Sequence, residues 1–332
     1  MIDSRGSAIS QSAAFYVWPA VLINNSDPAA ENIPLEEEVF RKTLRYGIAV
    51  KILREGIVVF DFSDWPAEKG KRHINPGDFD ETVERVVRRV SVMNAYLTCF
   101  YTAVYRLQQT RMPVMRVHSS SLLQFASLDD PTLQTTVTGC PDAFIRAVRT
   151  DSNWRRAPRS VEVQAKTIKS SFQQFDLVLD ERRTDMIAFA DLYLRSCLAC
   201  AEHEYSLALI TAWTIIEKVL NFLWFEYLDE NRERERDTES LPFISKDRRD
   251  RLTNGRDFTA SVVSEILSLN SRISFSLYRS LSEVRKARNN WMHDLKPASR
   301  KMARSAIEAA GEMMALAFKL EFQIPFVSGI SV

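Results

Sequence analysis

Glycine is scarce in this chain, with nine among 332 residues. No glycine-rich loop able to cradle a phosphate occurs, so a nucleotide-driven enzyme is not expected. Four cysteines (Cys99, Cys140, Cys197 and Cys200) are too few for a disulfide framework at this length and fit a reducing cytosol. Neither charge sign is in excess, Lys+Arg 44 against Asp+Glu 43, which excludes a general polyanion coat. Any nucleic-acid contact must therefore come from local clusters. Two apolar runs invite a membrane reading, and neither supports it. Ala13–Ile23 lacks a positive leading segment (Asp3 against Arg5) and is interrupted by Pro19. Leu207–Leu228 carries Glu217, Lys218, Asn221 and Glu226, too polar for a lipid-facing span. A cytoplasmic protein with no membrane segment is the expectation.

What remains is an ordinary globular composition, 45% hydrophobic and 26% charged, long enough for about two domains. Residues 1–12 read as a loose tail, 13–23 as a strand and 24–34 as a loop. A hairpin follows, with arms at 46–53 and 57–62 rich in β-branched and aromatic residues and a turn at Arg54-Glu55-Gly56. Phe79, Val83, Val86, Val90, Met93, Leu97 and Tyr101 recur at helical spacing, predicting a long helix over about 79–109. Pro113 ends it, Val114–Leu128 reads as strand, and 129–145 as irregular. Between Phe144 and Arg159 there are five arginines against one aspartate, with Trp154 beside Arg155 and Arg156. Basic residues with an interleaved aromatic can hold single-stranded nucleic acid, although a solvated linker explains the same composition. Helices are predicted at about 160–181, 183–202, 204–230, 258–270, 274–293 and 298–320. The densely charged stretches at 229–237 and 246–251 read as a solvated loop or frayed helix ends. The fold class is α+β: a mixed domain over 1–159 for sensing or recognition, and a helical domain over 160–332.

The chemistry-bearing residues lie near the end. Leu277, Leu281, Val284, Trp291 and Leu295 form the apolar stripe of a helix, and Arg288 sits inside that stripe. A guanidinium there cannot lose its proton, so the spacing predicts an anion facing it. On the helix over 204–230, Glu217 interrupts a stripe made by Trp213, Leu220 and Trp224, which predicts a Glu217–Arg288 pair across packed helices. Asn289 lies one turn before His293 on roughly the same face. A fixed cation, an amide and a group titrating near neutral pH thus share about two turns.

Arg288-Asn289-Asn290-Trp291-Met292-His293, late in a helical domain, resembles the Arg-Asn-x-x-x-His signature of the HEPN superfamily. The earlier helix Tyr205–Leu220 resembles the acidic second helix of those domains. The resemblance covers roughly the C-terminal 140 residues. It implies a homodimer that cleaves RNA without a metal or other cofactor, leaving a cyclic phosphate and a 5′-hydroxyl, in the manner of bacterial abortive-infection and toxin effectors. In that plan His293 moves the proton. Arg288 neutralises phosphoryl charge through its fork of donors, Asn289 orients the phosphate or a 2′-hydroxyl, and Glu217 fixes the guanidinium. Asp294 would set the imidazole tautomer, and Arg285, Arg155, Arg156 and Trp154 are RNA-contact candidates. A regulatory or silencing partner would hold such an effector inactive. HEPN domains also occur as non-catalytic modules that dimerise and bind RNA or a partner protein, which is the second expectation.

Other constellations are weaker. Cys197-Leu-Ala-Cys200 followed by His203 has no second ligand pair, so two core cysteines are expected rather than zinc. His118-Ser-Ser-Ser121 lacks the nucleophile-elbow pattern.

Overall fold

The computed structural model describes residues 12–17, 20–23, 37–54, 56–68, 79–119, 122–125, 128, 133–135, 161–179, 185–232, 246–255 and 257–325. The chain is α+β, and packing divides it into two compact units, Met1–Leu194 and Arg195–Val332.

The first unit holds the strands β1 (Ser12–Tyr16), β2 (Ala20–Ile23), β3 (Glu38–Thr43), β4 (Ala49–Leu53), β5 (Ile57–Asp61), β6 (Leu123–Phe125), β7 (Leu133–Thr135) and β8 (Val161–Gln164). Its helices are α1 (Phe79–Gln108), α2 (Ala165–Val178) and the first part of α3 (Met186–Ala201). Six strands form an antiparallel sheet in the order β3-β4-β5-β1-β6-β7, and β2 pairs with β8 in parallel. The predicted hairpin is β4–β5, closed by Gly56, whose N–H donates to Leu53 O at 3.0 Å and whose φ of 91° needs no Cβ. A second glycine is more constrained. At Gly47, φ is 71° and a Cβ would meet the Asp64 Cβ at 2.8 Å.

Alternation on the central strands explains the core. Opposite Val59 and Val58, β1 places Ala14 and Phe15 on different faces of the sheet. One face gathers Ala14, Tyr16, Leu53, Ile57 and Val59, with Leu128 packed against them. The other turns Phe15 and Phe60 toward Tyr96 of α1, at ring-centroid distances of 6.5 and 5.8 Å. Helix α2 completes this layer: Phe172 stacks on Tyr96 at 4.6 Å and Phe175 meets Phe60 edge-on at 6.3 Å. Strand β8 and helix α2 therefore belong with the first unit. The packing boundary falls inside α3, C-terminal to the division expected at 159/160.

Several local expectations are corrected. The single strand expected over 13–23 is two strands in different sheets, β1 and β2. The strand expected over Val114–Leu128 is reduced to β6; residues 111–118 are irregular because side chains of α1 satisfy their backbone. Val117 N–H donates to Asn94 Oδ1 at 2.7 Å and Met115 N–H to the Tyr101 hydroxyl at 3.1 Å. Val161–Gln164, expected as the first turn of a helix, is drawn into strand β8 by its pairing with β2. Strands β3 and β7 have no counterpart among the expected elements. On α1, Val90, Met93, Leu97 and Tyr101 are buried as the spacing predicts, whereas Val83 is exposed. The arginine-rich stretch with Trp154, Arg155 and Arg156 lies outside the described residues.

The second unit is helical: the end of α3, then α4 (Tyr205–Arg232), α5 (Lys246–Leu252), α6 (Ala260–Leu269), α7 (Phe275–Asp294) and α8 (Arg300–Phe318). Its most extensive contact joins α4 to α8. The buried face of α8 is rich in small residues, Ala303, Ala306, Ala309, Ala310 and Gly311, which lets the two helices approach closely. By length and composition α4 could cross a membrane, but its apolar surface is the centre of this unit, packed by α6, α7 and α8.

Glycine scarcity has a structural trace here. Among the described residues five helices, α1, α3, α6, α7 and α8, are followed by left-handed residues that are not glycine: Gln109 (φ 52°), His203 (66°), Ser271 (58°), Leu295 (51°) and Lys319 (59°). Each carries the steric cost of a Cβ in that region, roughly 1 kcal/mol. Lys319 is exposed and its N–H donates to Ala315 O at 3.0 Å, a bond that glycine would keep. Lys319→Gly is thus expected to stabilise the second unit by up to roughly 1 kcal/mol, read as a higher urea midpoint; an unchanged or lower midpoint contradicts this account of the cap.

Candidate functional site

Helix α7 begins at Ser274, whose hydroxyl accepts the Leu277 N–H at 3.1 Å. Its first turns bury Leu277, Leu281 and Val284 in contact with α4, α6 and α8. Beyond Val284 nothing on α7 is buried. Arg285, Ala287, Arg288 and Trp291 are half-buried; Lys286, Asn289, Asn290, Met292, His293 and Asp294 are exposed. The helix closes on Leu295, where the N–H groups of Leu295 and Lys296 donate to Trp291 O (3.0 Å) and Asn290 O (3.3 Å). The following loop is fixed by the Ala298 N–H donating to Ser206 Oγ at 3.0 Å, which ties it to the first turn of α4.

Arg288 is therefore not on a core seam, as the spacing predicted. Its Nη1 donates to Asn289 Oδ1 at 3.2 Å, next to it in sequence. Glu217 is exposed as well, and no ion pair joins the two residues. The reason is the width of the buried arc on α4. Ala212, Trp213, Ile215, Ile216, Val219 and Leu220 all face the core, which leaves Glu217 on a narrow solvent strip with Thr214, Lys218 and Asn221. Glu217→Ala is accordingly expected to change the unfolding free energy by no more than about 0.5 kcal/mol. A buried pair losing one partner would cost several times that, so a urea denaturation curve separates the two cases.

Arg288, Asn289 and His293 are brought together on the same two turns, and all reach solvent. Asn289 and His293 lie within about 40° of each other around the axis, but five residues at about 100° each carry Arg288 roughly 140° from His293. One chain thus presents the cation and the imidazole on different flanks of α7. Asp294 is exposed and makes no side-chain hydrogen bond to His293. Arg285 stands one turn before Arg288 and Asn289.

The thiols of Cys197 and Cys200 are buried in α3, and burial pushes both up from the ordinary thiol range. His203 is exposed, and its Nδ1 is 2.7 Å from the Tyr205 hydroxyl. This histidine–tyrosine pair stands beside Ser206, and so at the end of the unit where α7 stops. Sequence reasoning misses it, because the nearby cysteines present His203 only as a metal ligand. Among the described residues no three metal-ligating side chains are grouped. Comparison with family models, with curated proteins and with solved structures returns no match for the chain.

Proposed function

We propose that this chain is a metal-independent endoribonuclease of HEPN type, acting in the cytoplasm as a homodimer. The observation that carries the reading is the open end of α7: Arg288, Asn289 and His293 stand on turns where no residue is fully buried. With Arg288 and His293 on different flanks, a phosphate gripped by the cation of one chain is best served by the imidazole of a second. A two-fold pairing of these helix ends supplies two of each. One imidazole takes the 2′-hydroxyl proton as O2′ attacks phosphorus, and the other returns a proton to the departing 5′-oxygen. The P–O5′ bond breaks as the P–O2′ bond forms, and the products are a 2′,3′-cyclic phosphate and a 5′-hydroxyl. Arg288 offsets the charge on the non-bridging oxygens and Asn289 orients the phosphate. The antiviral or toxin role, with a partner protein holding the site silent, rests on the resemblance of Arg288–His293 to that family.

A specific observation also favours a second reading, a non-catalytic module that dimerises and binds RNA or a partner protein. Among the described residues no carboxylate fixes the direction of Arg288, as one would for a dedicated catalytic cation. Incubating total RNA with the purified chain in chelator, beside His293→Ala and Arg288→Ala, decides between them. Cleavage by the parent chain alone supports the nuclease; identical RNA patterns from all three support the module.

A further inference from the structure

Although the chain is balanced overall, Val284–Arg304 holds seven basic residues (Arg285, Lys286, Arg288, Lys296, Arg300, Lys301 and Arg304) against one acid, Asp294. The run spans the turns of α7 beyond Val284, the loop pinned to Ser206, and α8 as far as Arg304. Around α7, Arg285 and Arg288 lie about 60° apart, whereas Lys286 faces away from Arg288. All seven are exposed or half-buried. Among the described residues no carboxylate lies within ion-pair distance of Arg285, Lys286, Lys296, Arg300 or Lys301, while Arg304 meets the exposed Glu308 at 3.8 Å. Arg300 and Arg304 also stand close enough to Cys200 to oppose the rise that burial gives its thiol, so the run continues past the end of α3. Unscreened cations this dense repel one another, and a polyanion relieves that repulsion.

We infer that this strip, from Arg285 across the α7–α8 loop to Arg304, binds the sugar–phosphate backbone of a single-stranded RNA on either side of the linkage held at Arg288 and His293. The inference rests on the proposed nuclease reading for the choice of RNA. The strip's length speaks for a strand over a free phosphate. From Arg285 to the end of α7 is roughly 15 Å at 1.5 Å per residue, and α8 packs beside α7. Half-buried Trp291 and exposed Met292 lie along the same path, where unstacked bases can settle. The geometry also assigns Lys296, Arg300 and Lys301 a binding role without a part in proton transfer, because they lie beyond the α7 terminus.

The probe is a 2′-O-methylated single-stranded RNA, which cannot be cleaved by its own 2′-oxygen, followed by fluorescence anisotropy over a salt series with the full chain. The combined variant Lys296→Ala, Arg300→Ala, Lys301→Ala is expected to bind at least about tenfold more weakly. Its slope of log affinity against log salt should fall by about 2, at roughly 0.7 for each phosphate of a single strand that is no longer neutralised. Lys319→Gly, which removes a cation from the opposite end of α8, should bind as the parent does. Equal affinity and slope for the triple variant overturn the strip, as does a parent chain that binds phosphatidylserine vesicles and not the RNA. The two ideas fail separately. Weakened binding by the triple variant with no cleavage of ordinary RNA by the parent chain keeps the strip and removes the nuclease; cleavage by the parent with undiminished binding by the triple variant does the reverse.

Discussion

His293→Ala is expected to lower RNA cleavage by about 10²- to 10⁴-fold, the range that a positioned acid or base supplies. Arg288→Ala should lower it by about 10²- to 10³-fold, comparable to removing one donor that stabilises developing charge. Arg288→Lys should not restore the loss, because a point charge lacks the planar fork that grips two phosphoryl oxygens. The structure makes these variants clean tests. His293 is exposed and Arg288 is half-buried. Among the described residues, the one side-chain bond tying them to the rest of the chain runs from Arg288 to Asn289. Melting temperatures should therefore stay at the parent value while activity falls. Residual cleavage equal to the parent in both variants, measured in chelator on the same RNA, removes the assignment.

The second large effect lies in the other unit and concerns stability. The Glu68 carboxylate is almost fully buried and accepts from Arg89 Nε and Nη2 at 2.8 and 2.6 Å. Arg85, also buried, stands 3.7 Å from the same carboxylate, and the Arg89 guanidinium lies 5.0 Å over the Phe62 ring. Burial pulls the Arg85 guanidinium down from its ordinary range, and Glu68 is the largest influence opposing that. Glu68→Gln keeps the shape and removes the negative charge that both arginines share, while Glu81 still acts on Arg85. A loss of roughly 3–5 kcal/mol is expected, as for a buried ion pair stripped of one charge. Urea unfolding of the first unit checks it. A loss under about 1 kcal/mol would mean that other groups already balance the two arginines.

Much of the fold is legible because it rests on periodicity. The helix over Phe79–Gln108 and the helices α2 to α4 and α6 to α8 follow from apolar spacing, and β4–β5 from two β-branched runs around Gly56. The misreadings share a physical cause. Spacing reports which face of a helix would be buried, not whether anything lies across it. On α7 the pattern runs on through Arg288, Trp291 and Leu295, yet burial stops at Val284, and Leu295 is 72% exposed. On α4 the converse holds, since a broad buried arc hides the solvent strip that carries Glu217. Strand β3 escapes notice because Glu38, Arg41 and Lys42 make it polar, as suits a sheet edge that must not recruit another strand. Of the candidate site, the cluster of Arg288, Asn289 and His293 on one helix end is readable from the hexapeptide. The basic run from Arg285 to Arg304 is also written in the sequence, whereas the His203–Tyr205 contact is not, because it depends on the left-handed turn at His203.

The position of α2 bears on how the protein is made. Phe172 and Phe175 roof the ring cluster of Phe15, Phe60 and Tyr96, yet they are synthesised last among its members. A nascent chain that has emerged only as far as residue 159 carries the sheet and the long helix with that aromatic layer still wet, and β2 still lacks its partner β8. Translation must run past Val178 before the first unit can close, so a product cut at residue 159 would be a sticky folding intermediate rather than an independently folded domain.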